Sequence, residues 1–195
     1  KREVVGRGLK ALLTSNPCNP TGQLVEGDEL REWVQMAREY RCSLILDEFY
    51  SHYIYTGPVD GPPKVVSAAA YVEDVDRDPV ILVDGLTKNW RYPGWRISWT
   101  IGPKSMINAI ASAGSFLDGG ANHPFQGSVL DLLDPAHVKQ DTAVMQHHFR
   151  EKRDLMLTRL QQLGIGVEAP PQGTFYIWAN LAQLPPPLND GLSFF

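Results

Sequence analysis

Short apolar runs and one helical pattern alternate along the first half of the chain. The run from Leu9 to Leu13 predicts a strand that leads into the polar, proline-rich stretch 14–22. From Asp28 to Tyr40 the apolar residues follow helical spacing, and Asp28 suits the N-cap position. One face of this helix is expected to cover a sheet.

Two further apolar runs end in acidic residues. Ser43 to Leu46 is followed by Asp47-Glu48, and Val80 to Val83 is followed by Asp84-Gly85. Continuous apolar runs of this length are typical of strands that are buried on both faces of a parallel sheet. The pattern therefore predicts an α/β fold.

The second half predicts further strands and three helices. The predicted elements are a strand at 96–101, a helix from Pro103 to about Ser115, a helix at 124–133, a long helix from about 137 to 163 that stops at Gly164, and a strand at 173–178. The long helix is long enough to pass from one domain into another. We expect residues 1–140 to belong to a large domain, 141–163 to form a connecting helix, and 164–195 to begin a smaller α+β domain.

Composition and charge exclude several classes of function. The chain has 195 residues, 43% of them hydrophobic, and a net charge of −4 with scattered lysines and arginines, which argues against nucleic acid as a partner. No apolar run approaches the roughly 18 residues of a membrane span, and the start lacks the apolar core of a signal peptide. The sequence therefore predicts a cytoplasmic protein without a membrane partner.

Cysteine and histidine usage gives no sign of a disulfide framework or a metal site. The two cysteines, Cys18 and Cys42, lack the paired spacing of zinc ligands, and the histidines do not cluster. Two free thiols and no metal are expected.

Polar residues that can carry chemistry follow three of the predicted strands. Asn19, Asp47 and Lys88 each come after an apolar run. Open parallel α/β sheets bind ligands at the carboxyl ends of their strands. We therefore expect these three residues to converge at one rim of the sheet.

Three sequence blocks carry a resemblance to a known family. They are Ser15-Asn16-Pro17-Cys18-Asn19-Pro20-Thr21-Gly22, Asp47-Glu48-Phe49-Tyr50, and Gly85-Leu86-Thr87-Lys88-Asn89 through Pro93-Gly94-Trp95-Arg96. In content, order and separation they resemble the class I and II aminotransferases of fold type I, and Pro171 to Tyr176 is similar to the strand that opens the family's small domain. The resemblance implies a three-layer α/β/α domain with a mostly parallel sheet, and pyridoxal 5'-phosphate as cofactor.

The resemblance assigns a role to each candidate residue. Lys88 would form the Schiff base with the cofactor and then move a proton, and Asp47 would pair with the pyridine nitrogen. Asn19 and Tyr50 would hydrogen-bond the phenolic oxygen, and Arg96 would bind the phosphate.

Each assignment has an alternative that needs no cofactor. Lys88 could be a solvated surface charge, and Asp47 a helix cap or strand-end carboxylate. Asn19 could be a turn residue, Tyr50 a half-buried core aromatic, and Arg96 one partner of an ordinary salt bridge.

The chain departs from the family pattern in places. Gly85 stands where many relatives carry a serine that touches the phosphate, so that this contact is absent or Thr87 provides it. Arg91, Tyr92 and Ser98 replace small or apolar residues, which leaves the substrate class open. The family's phosphate loop, its ring-stacking aromatic residue and its carboxylate-binding arginine have no match, so we expect a fragment of a longer enzyme.

The resemblance implies an aminotransferase that moves an amino group between an amino acid and a 2-oxo acid, as a homodimer. A β- or γ-eliminating lyase or an aminocyclopropane carboxylate synthase-like enzyme would keep the same cofactor residues. An aminotransferase-like sensor domain of a transcription regulator is the non-enzymatic alternative.

Overall fold

Four strands form a single mixed sheet in the part of the chain that the structure describes. A computed structural model describes residues 2–195. The strands are β1 (Ala11–Ser15), β2 (Ser43–Asp47), β3 (Val80–Gly85) and β4 (Ser98–Ile101), and they lie in that order across the sheet. β1, β2 and β3 are parallel, whereas β4 runs antiparallel to β3. The strands predicted from the apolar runs are confirmed, with ends shifted by up to two residues.

Six α-helices accompany the sheet in residues 2–195: α1 (Arg2–Arg7), α2 (Gly27–Tyr40), α3 (Lys104–Leu117), α4 (His123–Leu132), α5 (Pro135–Gln162) and α6 (Gly191–Phe194). Short 3₁₀ helices cover Ala68–Tyr71 and Pro93–Trp95. The four helices predicted in these regions are confirmed, and Gly164 ends α5 with a φ of 74°. No helix in this range combines the length and apolar character that crossing a bilayer requires.

The predicted N-cap of α2 was wrong. Glu26 occupies the N-cap without a side-chain bond to the helix, and Asp28 lies inside the first turn, where its carboxylate bonds Arg31 one turn along. A carboxylate in the first turn still interacts favourably with the positive end of the helix dipole. Asp28 therefore stabilises the start of the helix as its second residue and not as its N-cap.

The main apolar core lies between α2 and the sheet. Its buried members are Leu30, Val34 and Ala37 from α2, Leu44 and Leu46 from β2, Val80 and Leu82 from β3, and Ala68. Their spacing in α2 is that of one helix face, and in β2 that of alternate strand residues. A second apolar cluster, Leu86, Trp90, Ile97 and Val129, packs α4 behind the segment that carries Lys88.

The strand predicted at 173–178 is not formed. This stretch makes only an isolated bridge between Gly173 and Ile54, and Thr174 has a φ of 64°, which interrupts extended backbone. The backbone N–H groups of Gln172 and Gly173 instead donate to the carbonyl of Gly22, at 2.8 and 2.9 Å. These bonds join the segment to the loop after β1 instead of to a strand partner.

Candidate active site

The ends of the three parallel strands bring the candidate residues to one rim of the sheet. Ser15, the last residue of β1, lies opposite Asp47 at the end of β2, and Asp47 lies opposite Val83 of β3. Lys88 follows three residues after the end of β3. The expected convergence is therefore observed for Asp47 and Lys88, and the loop with Asn19 leaves from the same rim.

Lys88 is half-buried and faces aromatic rings. Its Nζ lies 5.9 Å from the ring centre of Tyr50 and 5.4 Å from that of Phe175. No carboxylate in residues 2–195 forms an ion pair with it. Partial burial and the absence of an acidic partner within residues 2–195 distinguish Lys88 from a fully solvated lysine, so the geometry favours the chemical interpretation.

Two hydrogen bonds fix the backbone of Lys88. The hydroxyl of Tyr53 donates to the Lys88 carbonyl at 3.0 Å, and the N–H of Arg91 donates to the same oxygen at 3.1 Å. The guanidinium of Arg91 in turn bonds both oxygens of Asp141 on α5, at 2.7 and 2.9 Å. The bulky residues of this loop therefore attach it to α5.

Tyr50 is buried, and its hydroxyl shares a hydrogen bond of 3.1 Å with the hydroxyl of Tyr176. Burial, followed by this bond, raises the pKa of Tyr50 above its usual value. The hydroxyl is therefore held as a neutral hydrogen-bonding group. Sequence reasoning assigned no role to Tyr176 and Phe175, although both belong to the block at 171–176.

Asp47 is half-buried and only partly engaged. Its Oδ1 accepts the N–H of Phe49 at 3.1 Å, and it forms no ion pair within the described residues. This bond is the strand-end contact of the alternative interpretation, and it leaves the second oxygen able to accept from a ligand. The observed geometry is compatible with both interpretations.

Asn19 and Arg96 are exposed and do not contact Lys88. The backbone N–H of Asn19 donates to Ser15 Oγ at 3.0 Å, which ties its loop to the end of β1. Arg96 donates to the carbonyl of Pro93 at 2.9 Å and has no acidic partner in residues 2–195. The structure therefore does not show the salt bridge that was the alternative for Arg96, and its remaining N–H groups are available to an anion.

Close packing explains why glycine occupies position 85. A Cβ here would lie 2.7 Å from the Ile97 carbonyl oxygen and 2.7 Å from the Ser98 Cα. A serine would need the backbone of β4 to move. The hydroxyl that many relatives supply at this point is therefore sterically excluded.

Acidic groups that the sequence did not single out lie directly behind the rim. Burial raises the pKa of Asp84 to about 7, with the nearby carboxylates of Glu48 and Asp47 adding to the effect. Burial also raises the pKa of Glu48, which accepts the N–H of Ala68 at 2.9 Å. In the sequence the only sign of Asp84 was an acid at the end of an apolar run.

The arrangement fits the cofactor that the resemblance implies. Among the described residues, 2–195, it supplies an amine and a guanidinium that have no acidic partner, a carboxylate with a free oxygen, and a neutral phenol, which are the groups that a phosphorylated pyridine aldehyde requires. The model for class I and II aminotransferases matches residues 2–190. The chain belongs to the class I and II aminotransferase family.

This family depends on pyridoxal phosphate, and several of its aminotransferases are similar to the chain. The probable aspartate/prephenate aminotransferase of Thermus aquaticus is 28% identical over 186 residues, which cover 95% of this chain and 46% of the relative. The aspartate aminotransferase of Streptomyces avermitilis is 31% identical over 179 residues, which cover 90% of this chain and 41% of the relative. The chain therefore spans less than half the length of these relatives.

Solved aminotransferase structures share the fold. The aspartate aminotransferase of Thermus thermophilus with maleate superposes with a TM-score of 0.79 at 28% identity, over 95% of this chain and 47% of that one. The three-layer α/β fold of these aminotransferases, expected from the sequence, is thus confirmed for the part of the domain that is present.

Proposed function

We propose that the chain forms the lysine-bearing part of a pyridoxal-phosphate-dependent aminotransferase, which moves an amino group between an amino acid and a 2-oxo acid. The observation that carries the proposal is Lys88, a half-buried lysine with no acidic partner in residues 2–195, whose Nζ lies 5.9 Å from the ring centre of Tyr50 and 5.4 Å from that of Phe175 at the carboxyl rim of the sheet. Membership of the aminotransferase family supports the same assignment.

Each residue at the rim has a task in this proposal. The bound cofactor supplies an electron sink for the substrate's Cα electrons. The Lys88 amine would hold the cofactor, and it would also carry the proton that is moved at the substrate's Cα. The neighbouring rings of Tyr50 and Phe175 limit the water on one side of this amine.

The polar groups would orient the cofactor and set its charge. The free oxygen of Asp47 would accept a hydrogen bond from the protonated pyridine nitrogen, and the hydroxyl of Tyr50 would donate one to the phenolic oxygen. The side-chain amide of Asn19 supplies a second donor to that oxygen. The unpaired N–H groups of Arg96 bind the phosphate as a planar fork.

The names of the relatives support a proposal for the substrate class. The names of similar proteins include aspartate and prephenate, so we propose an amino acid with an acidic side chain and a 2-oxo acid partner. We further propose a homodimer in the cytoplasm, and a division of the chain into a large domain (1–140), a connecting helix (141–163) and the start of a small domain (164–195).

The test is covalent trapping of the cofactor. The chain is incubated with pyridoxal phosphate, the Schiff base is reduced with borohydride, and the modified peptide is identified by mass spectrometry. We expect modification at Lys88 in the wild type, none at this position in Lys88→Ala, and full modification of Lys88 in the control Lys152→Ala, since Lys152 also lies over an aromatic ring but on α5.

Two results would contradict the proposal. One is an unmodified Lys88 peptide while other lysines react. The other is equal labelling of many lysines, which would mean that the rim has no preference for the aldehyde. With labelling at Lys88 established, production of a 2-oxo acid without release of ammonia distinguishes amino-group transfer from elimination.

A further inference from the structure

Asn89, the residue after Lys88, is completely buried. Its Nδ2 lies within donor distance of Asp84 Oδ1 (3.0 Å), Asp84 Oδ2 (3.2 Å), Ser51 Oγ (3.1 Å) and the Glu48 carbonyl (3.3 Å). Its Oδ1 accepts the backbone N–H of His52 at 3.1 Å. One carboxamide therefore connects the lysine loop, residues 86–92, with the end of β3 and with the turn after β2.

The pattern of donors and acceptors requires an amide in one orientation. The His52 N–H needs an acceptor, whereas the Asp84 carboxylate needs a donor, and only a carboxamide presents one of each on a side chain of this length. An aspartate at position 89 would place a second acid against Asp84. An alanine would leave the buried His52 N–H without an acceptor and would remove one of the two donors to Asp84, which is costly in a dry site.

The turn that Asn89 holds carries other rim residues. Residues 48–52 follow Asp47 directly and include Tyr50. The next residue, Tyr53, donates to the Lys88 carbonyl at 3.0 Å. The lysine loop is therefore attached to this segment twice, through the Lys88 carbonyl, which accepts from Tyr53, and through the side chain of Asn89, which bonds the turn's backbone.

Asp84 is the charged half of the contact. It is desolvated by burial and lies near Asp47 and Glu48, which also disfavour its ionised form. Its hydrogen-bond donors in residues 2–195 are the N–H of Gly85 at 2.6 Å and the amide of Asn89. The contact thus joins the end of β3 to the lysine loop at the point where the acids of the rim are most crowded.

We propose that Asn89 and Asp84 form a positioning pair that holds Lys88 at its place relative to Tyr50 and Asp47. The pair touches neither cofactor nor substrate and acts through the backbone of the lysine loop. This inference rests on the proposed function, because the exact position of Lys88 matters only if this residue binds the cofactor.

The first experiment measures how fast pyridoxal phosphate is trapped at Lys88 by borohydride. We expect Asn89→Ala and Asp84→Ala to slow trapping about 10-fold, since small misplacements of a reacting group have effects of this size. Asn89→Asp is expected to be slower still. The double variant Asp84→Asn/Asn89→Asp exchanges donor and acceptor and is expected to recover most of the rate.

The control is Gln146→Ala. Gln146 is also a buried carboxamide, and it bonds the carbonyl of His52 at 3.1 Å and the backbone of Lys64, but it does not contact the lysine loop. It should lower the thermal midpoint without changing the trapping rate. All rates are compared at a temperature at which tryptophan fluorescence shows every variant to be folded.

A second experiment needs no cofactor. Acylation of the Lys88 amine by a small reagent, followed peptide by peptide, should become about threefold faster in Asn89→Ala, because a released loop exposes the amine more often. Trapping that fails at Lys88 in the wild type would overturn the proposed function but leave this comparison intact. Equal acylation of Lys88 in the wild type and Asn89→Ala, or a double variant no faster than Asn89→Asp, would overturn the positioning pair.

Discussion

The buried histidine beneath the lysine loop makes a quantitative prediction about acid stability. His52 is buried with its ring centre 4.8 Å from that of Trp90, and burial lowers its pKa from 6.5 to about 4. In the unfolded chain His52 binds a proton below about pH 6.5, whereas in the folded chain it does so only near pH 4. Protons therefore favour the unfolded state between these values, and stability falls as the pH decreases.

The size of the effect follows from the pKa difference. About 2.5 pH units, at about 1.4 kcal/mol for each, give a loss of about 3 kcal/mol between pH 7 and pH 4. Asp84 acts in the opposite direction, because its raised pKa, about 7, adds stability as the pH falls. The wild-type profile alone therefore conceals the histidine.

The variant His52→Phe keeps a ring against Trp90 and removes the titration. We expect its unfolding free energy to rise relative to that of the wild type by about 3 kcal/mol on going from pH 7 to pH 4, as measured by urea unfolding with tryptophan fluorescence. The control Ile97→Val lies in the same buried cluster and should lower stability by about 1 kcal/mol at every pH. Parallel profiles for the wild type and His52→Phe would refute the reasoning.

Three further predictions concern the frame around the site. Asp78→Asn should lower the free energy of unfolding by about 2 kcal/mol at pH 7, measured by thermal unfolding, because Arg38 lowers the pKa of Asp78 to about 2. In the wild type this contribution is lost as the pH falls from 3.8 towards 2. A variant with unchanged stability at pH 7 would contradict it. Gly85→Ser should destabilise the chain by roughly 2 kcal/mol in urea, since the new side chain meets the backbone of β4; a neutral effect would show that β4 yields. Gly22→Ala should lower the free energy of unfolding by on the order of 3 kcal/mol and speed proteolysis of the loop. The reason is that the φ of Gly22 is 70° and that the added Cβ would lie 2.3 Å from that of Pro171. An unchanged cleavage rate would argue against this contact.

The elements that the sequence predicted well are those whose pattern is local. The short apolar run at 43–46 favours a buried strand, and the spacing of Leu30, Val34 and Ala37 is that of one helix face. The predicted strand at 173–178 was wrong because a strand depends on a partner. Its backbone bonds Gly22 and Tyr53 instead.

The candidate site shows the same division. Strand ends followed by Asp47 and Lys88 predicted a shared rim, and parallel pairing brings them there. The roles assigned to Asn19, Tyr50 and Arg96 stay predictions. Asn89 could not have been found from the sequence, because its importance arises from three segments that meet only in the folded chain.

The crowded acids behind the rim lower the stability of the folded chain but favour the binding of a cation. Asp47, Glu48 and Asp84 lie at the ends of two neighbouring strands, where their mutual repulsion disfavours the folded state. The negative electrostatic field of these acids is oriented before a ligand binds, so a positively charged ring could bind without rearrangement of the acidic side chains. Neutralising these acids should therefore give a more robust protein that holds a cation less well, which is the exchange expected where selection acts on function above stability.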